Sequence, residues 1–123
     1  MADRPLVEPH LGPSPDDLVI EDIIVGDGTE AVVGKHVVVH YVGVGATSGN
    51  EFDASWNRGD PFDFDLGASQ VIQGWDRGVQ GMRVGGRRRL VIPAHLAYGE
   101  RGAGGVIGPN ETLIFVVDLL DVR

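Results

Sequence analysis

The chain has 123 residues and no cysteine. A disulfide framework, a thiolate nucleophile and a thiolate metal site are therefore excluded. Aromatic residues are scarce at 7%, and 10 Lys and Arg face 18 Asp and Glu, for a net charge of −8. So acidic a chain is not expected to grip nucleic-acid phosphates without regard to sequence. The same balance favours a soluble monomer. No apolar run is long enough to span a bilayer, so no membrane partner is expected. The start, Met1-Ala2-Asp3-Arg4-Pro5, lacks a basic segment leading into an apolar run, which points to a cytoplasmic protein. Familiar enzyme motifs are missing as well: there is no G-x-S-x-G elbow, no phosphate loop ending in Lys-Ser/Thr and no H-E-x-x-H. His10, His36, His40 and His95 are too scattered to suggest a metal, and no cofactor is expected.

What the chain does have is glycine. Nineteen are spread without a period, a sign of many tight turns and a strand-rich fold within one domain of common size. Residues 1–17, with Pro5, Pro9, Pro13 and Pro15, read as a flexible, irregular arm ahead of a domain over 18–123. Leu18 to Val25 reads as a strand. The strongest strand is His36 to Val44, with Val37, Val39 and Tyr41 on one face and Val38, His40 and Val42 on the other. Asn50 to Ser55 is a short strand. Trp56 to Asp60 is expected to be a loop, its Arg58-Gly59-Asp60 a plain turn despite the likeness to an adhesive tripeptide.

Pro61 to Gly67 alternates, with Phe62, Phe64 and Leu66 facing one way. Ser69 is placed to cap a helix starting near Gln70 and carrying Trp75, kept short by Gly78 and Gly81. Arg87 to Ile92 is a strand whose arginines are expected to be solvated beside carboxylates, Arg88 opposite Leu90 and Ile92. Pro93 to Pro109 is a glycine-rich flap holding Tyr98 and Ile107, and Thr112 to Val122 is the closing strand. The class is α+β, a mostly antiparallel sheet with one covered face and one short helix.

Tyr41, Phe52, Phe62, Trp75, Tyr98 and Phe115 come from six separate segments, and Ile72 and Ile107 extend the set. Aromatics usually form core. Two features argue for a cup instead. Tyr98 sits among glycines, where a purely structural tyrosine is poorly held. Asp53 follows Phe52 among apolar strand residues, where a carboxylate needs a partner.

The segments Val39-His40-Tyr41, Phe52-Asp53, Pro61-Phe62-Asp63-Phe64, Val71-Ile72-Gln73-Gly74-Trp75, Gly81-Met82-Arg83-Val84-Gly85, Ala97-Tyr98-Gly99 and Thr112-Leu113-Ile114-Phe115 occur in one order. Together they resemble the FKBP-type peptidyl-prolyl cis-trans isomerases, the macrolide-binding immunophilins, in a small single-domain form. The resemblance implies a five- to six-stranded antiparallel sheet wrapped around one short helix. It implies a pocket of Tyr41, Phe52, Asp53, Phe62, Val71, Ile72, Trp75, Tyr98, Ile107 and Phe115. Tyr41, Phe52, Asp53, Tyr98 and Phe115 would form its catalytic part, and Phe62, Val71, Ile72, Trp75 and Ile107 would hold the ring. In such a pocket the indole of Trp75 lies under a prolyl or pipecolyl ring. Ile72 N–H and the Tyr98 hydroxyl donate to ligand carbonyls, and Asp53 accepts.

Proline-containing polypeptides and immunosuppressive macrolides are the implied partners, and assistance to protein folding the implied role. Gln73 departs from a frequent basic residue, Ala103 from a frequent histidine, and Gly108 from the first of a frequent proline pair. All three leave the floor intact; Gln73 is expected to face solvent, and Ala103 and Gly108 bear on the flap. The competing reading is a non-catalytic binding module of the same shape. Members of that kind typically lose pocket aromatics, which this chain keeps.

Overall fold

The computed structural model describes residues 4–10, 12–46 and 48–123, so residues 1–3 and 11 of the expected arm lie outside the described residues. Six strands form one antiparallel sheet: β1 (Val19–Ile24), β2 (His36–Gly45), β3 (Glu51–Ala54), β4 (Phe62–Asp65), β5 (Arg87–Ile92) and β6 (Leu113–Val122). Their order is β1-β5-β6-β2-β3, and β4 pairs with β2 alone. β3 and β4 thus share the same long edge of β2, β3 along Val42 to Val44 and β4 along His36 to Val39. The chain turns off the sheet between them, beside Tyr41. The pairing of β2 with β3 shifts register between Gly43 and Val44.

Alternation sorts the apolar residues as anticipated. Val37, Val39, Tyr41, Phe64, Leu66, Leu90, Ile92, Leu113, Phe115, Val117 and Leu119 are buried together on one face, with Trp75, Val79 and Met82 laid over them. The opposite face is not bare, as the expectation of one covered face would have it. Val42, Val44, Ala54, Val91 and Ile114 form a second buried cluster, and Val7 of the arm and Trp56 pack on it. Among the described residues of the arm there is no strand or helix, yet Pro5 is buried and Arg89 Nη2 donates to the Glu8 carbonyl at 2.9 Å. A β-branched strand flanked by two sheet neighbours presents apolar surface on both sides, and both must be covered.

The helix α2 spans Gln73–Gly78 and starts later than expected. Ser69 does not cap it, because Ser69 has φ 60° and its own N–H donates to Asp76 at 3.0 Å. The Asp76 carboxylate also accepts from Gly67 N–H at 2.9 Å, so the helix fastens the preceding loop. Gly74 and Gly78 do more than shorten the helix. A Cβ on Gly74 would stand 2.5 Å from Ile92 Cγ2, and one on Gly78 2.7 Å from Leu90 Cδ2. The two glycines let the helix lie directly on β5.

Arg88 sits on the same side as Leu90 and Ile92, contrary to the expected placement, since residues two apart on a strand share a face. It reaches the end of α2, where Nη1 donates to the carbonyls of Gly78 at 2.9 Å and Gln80 at 3.0 Å, and Nε pairs with Asp22 at 2.7 Å. Arg87 Nε pairs with the fully buried Asp118 at 2.6 Å. The expected carboxylates are there; the expected solvent is not, as Arg88 and Arg89 are each only 9% exposed. Residues 56–60 are not a plain loop either. Ser55–Arg58 forms the one-turn helix α1, ended by Gly59 at φ 71°. Its Trp56 stacks on His40 with ring centroids 4.3 Å apart.

Gly74→Ala is expected to destabilise the fold. Overpacking against the buried Ile92 costs about 1–3 kcal/mol, more than the roughly 0.5–1 kcal/mol that alanine gains in a helix. A urea midpoint equal to or above that of the parent would contradict the close approach.

Candidate active site

The floor of the site is Trp75, 4% exposed, brought up under the sheet by α2. Rings stand around it edge-on. Tyr41 meets it at 4.9 Å and 79°, Phe115 at 5.3 Å and 86°, and Phe62 at 6.0 Å and 75°. Phe52 meets Phe115 at 5.5 Å and 90°. These are the edge-to-face geometries aromatic quadrupoles favour. Gly43 makes room for the last pair, since a Cβ there would lie 2.6 Å from Phe115 Cε1 and 2.7 Å from Phe52 Cζ. The Trp75 Nε1–H is buried and has no acceptor among the described residues.

The result is a cavity of about 180 Å³ lined by Tyr41, Phe52, Asp53, Phe62, Gln70, Val71, Ile72, Trp75, Tyr98 and Phe115. Nine of the ten residues expected at the site line it. Ile107 does not. Its reciprocal backbone bonds with Ala103, at 2.9 and 3.0 Å, hold it in the flap, where its side chain is buried in the core cluster. Gln70 lines the cavity and Arg58 serves it, and neither was singled out from the sequence. The signal for Arg58 was the partner that Asp53 required.

Arg58 Nη1 donates to Asp53 Oδ1 at 2.8 Å and Nη2 to the Tyr41 hydroxyl at 2.9 Å, while that hydroxyl donates to Asp53 Oδ2 at 2.5 Å. The supposed recognition arginine of Arg58-Gly59-Asp60 is therefore committed to the site wall. Burial alone would raise the Asp53 carboxyl, but the Tyr41 hydroxyl and the Arg58 guanidinium hold it below its ordinary 3.8. Burial, and then the bond to Asp53, push the Tyr41 phenol above 10.0. Asp53 thus stays a fixed negative charge on the wall.

Besides the Trp75 Nε1–H, the Ile72 N–H and the Tyr98 hydroxyl of the lining residues are unengaged. Ile72 is the residue before α2, and its carbonyl accepts from Trp75 N at 2.9 Å and Asp76 N at 3.2 Å, while its own N–H has no acceptor among the described residues. The Tyr98 hydroxyl also makes no hydrogen bond there. Its ring is 42% exposed at the cavity edge. Burial and the charge on Asp53 raise the Tyr98 phenol, which keeps it a donor at neutral pH. The flap carrying it is ordered by Asn110 N–H to Gly99 O at 2.9 Å.

A cavity of about 270 Å³ under the arm is larger but mixes Arg87 and Arg89 with Glu8 and Glu21, without an aromatic. Among the described residues no three His, Asp or Glu side chains gather to hold a metal. The chemistry available in the aromatic cavity is that of a ring-walled cup with the free donors of Ile72 and Tyr98 and a pinned carboxylate. It suits a small ring flanked by carbonyls.

The comparisons agree with this geometry. Residues 28–120 match the family model of FKBP-type peptidyl-prolyl cis-trans isomerases, and the chain belongs to that family. It is 64% identical over 121 residues to the FK506-binding protein of Streptomyces anulatus, covering 98% of both chains. It is 50% identical over 104 residues to the peptidyl-prolyl cis-trans isomerase FPR2 of Saccharomyces cerevisiae, covering 85% of this chain and 74% of that one. The crystal structure of AtFKBP13 superposes with a TM-score of 0.80 at 42% identity, over 89% of this chain and 96% of that one.

Because the Asp53 pKa is depressed on folding, its contribution to stability is full above 3.8 and is lost as pH falls through the folded value. Removing the guanidinium with Arg58→Gln should move the Asp53 midpoint upward. A carboxyl-carbon NMR titration reads this directly, and an unchanged midpoint would remove Arg58 from the wall.

Proposed function

We propose that the cavity holds the proline of an exposed X–Pro segment over Trp75 and accelerates rotation about the preceding amide. The observation that carries the reading is the combination at one site of an aromatic floor with two unengaged donors, Ile72 N–H and Tyr98 OH. Rotation about that amide faces a barrier of about 18–20 kcal/mol, because twisting destroys amide resonance. Water stabilises the planar, charge-separated amide through its oxygen. A cup of rings strips that water away and favours the twisted amide, whose dipole is smaller. No proton moves and no covalent bond forms or breaks.

The two donors take the carbonyls on either side of the ring. Asp53, held by Tyr41 and Arg58, presents a fixed charge that shapes the wall rather than a base. A millionfold acceleration needs about 8 kcal/mol of differential stabilisation, so several modest contributions must combine.

Relatives named as FK506-binding proteins support a second element of the proposal, that macrolides compete for the same cavity. The physiological substrates in this reading are folding or flexible polypeptides with accessible prolines. The net charge of −8 favours a chain that acts as a monomer.

The test is a protease-coupled assay on short X–Pro peptides, with and without a macrolide. Trp75→Leu, which reshapes the floor, should reduce kcat/KM. Tyr98→Phe removes one hydrogen bond, about 0.5–1.5 kcal/mol, and should lower kcat/KM about two- to thirteenfold. A single polar substitution that abolished turnover in folded protein would overturn the desolvation account. Binding without turnover would make the chain a non-catalytic module.

A further inference from the structure

The ring of His36, at the start of β2, lies between two carboxylates of β4. Nδ1 is 2.7 Å from Asp65 Oδ1 and Nε2 is 2.6 Å from Asp63 Oδ2. A carboxylate only accepts, so each contact needs a proton on the ring nitrogen. Neutral imidazole carries one such proton and imidazolium two. The observed geometry is therefore that of the cation. In the neutral ring one nitrogen lone pair would point at a carboxylate oxygen, and that contact would open.

Neither carboxylate lines the aromatic cavity, but each is joined to a residue that does. Asp63 follows Phe62, which lines it. Asp65 uses its second oxygen to accept from Gln70 Nε2 at 3.1 Å, while its backbone N–H donates to Gln70 Oε1 at 2.8 Å. Gln70 lines the cavity too. β4 has four residues, lies at the sheet edge and is bonded to β2 alone. Short, singly paired edge elements are the parts of a sheet that open most readily.

We propose that His36 is a positioning residue for the prolyl site: its doubly protonated ring clamps Asp63 and Asp65 and thereby holds Phe62 and Gln70 in place. Loss of its proton then loosens the rim and weakens binding of the proline segment. This rests on the assignment of the aromatic cavity as the prolyl site.

The hydrogen bond from Asp65, then that from Asp63, raise His36 above its ordinary 6.5. The sign follows: the clamp is complete below 6.5 and is lost as pH rises through the elevated value. The other charged groups nearby are accounted for. Asp121 and Arg123, on the adjoining end of β6 and just past it, pair with each other at 2.9 Å. The Arg123 backbone exchanges two hydrogen bonds with that of His36, at 3.2 and 2.7 Å. Lys35 precedes His36 in sequence, and His40, on the same strand, is engaged by Ser55 Oγ at 2.7 Å.

The experiment measures KM and kcat for an X–Pro peptide from about pH 6 to about pH 9, alongside NMR titration of the ligand-free protein. The parent should show KM rising about two- to fivefold, the range an exposed ion pair supports, with kcat little changed. The Gln70 side-chain amide should titrate together with the His36 ring. His36→Val should show the weaker KM at every pH. His36→Lys, which keeps a cation with several donors, should retain the tighter KM throughout.

A pH-independent KM in the parent, a Gln70 amide that ignores His36, or a parent-like profile in His36→Val would each overturn the clamp. Absence of turnover and of peptide binding at every pH would instead count against the prolyl site itself. The ring and amide titrations would still decide whether His36 holds the rim.

Discussion

Everything at the site depends on how close α2 can come to β5. Two missing Cβ atoms, at Gly74 and Gly78, allow the helix backbone to rest on Ile92 and Leu90. That distance sets the height of Trp75 beneath the sheet and hence the depth of the cavity above it. Arg88 closes the contact from the other end by taking up the carbonyls of Gly78 and Gln80. A six-residue helix has little stability of its own. Here it is held by burial, by Arg88 at its end and by Asp76, which ties its first turn to the loop at Gly67 and Ser69.

The walls follow a different logic. On β2, Tyr41 is the point at which two short strands along one edge part company, and the chain between them forms α1. α1 brings Arg58 back over Tyr41 and Asp53, so a carboxylate among aromatic rings is kept ionised by two donors. The arrangement places a permanent charge beside the cup without giving the cup a titrating base. Such a site suits a reaction whose barrier is resonance rather than proton transfer. The edge position of β4 has the opposite consequence. It leaves part of the rim dependent on side-chain contacts, and His36 supplies them.

Much of this was legible from residue order. The β-branched run at 37–42 and the alternation at 62–66 located strands and their buried faces. The isolated carboxylate at Asp53 announced a partner without naming it. The misplacements share a cause. Ser69 looked like a cap because serine often is one, but a left-handed backbone at that position turns its N–H toward Asp76. The arginines of β5 looked solvated because arginine usually is, but the end of α2, Asp22, Asp118 and the arm enclose them.

The sequence by itself determined the buried faces of β2 and β4, the aromatic set and the glycine-paced turns, because those depend on periodicity and side-chain chemistry within a few residues. It also carried the order of motifs that marks the family. Only the tertiary structure decided that Gly74 and Gly78 are contact points, that Arg58 belongs to the wall, and that His36 lies between Asp63 and Asp65. Each of these joins residues brought together by register and packing, and a hydrogen bond that depends on tenths of an ångström leaves no trace in spacing along the chain.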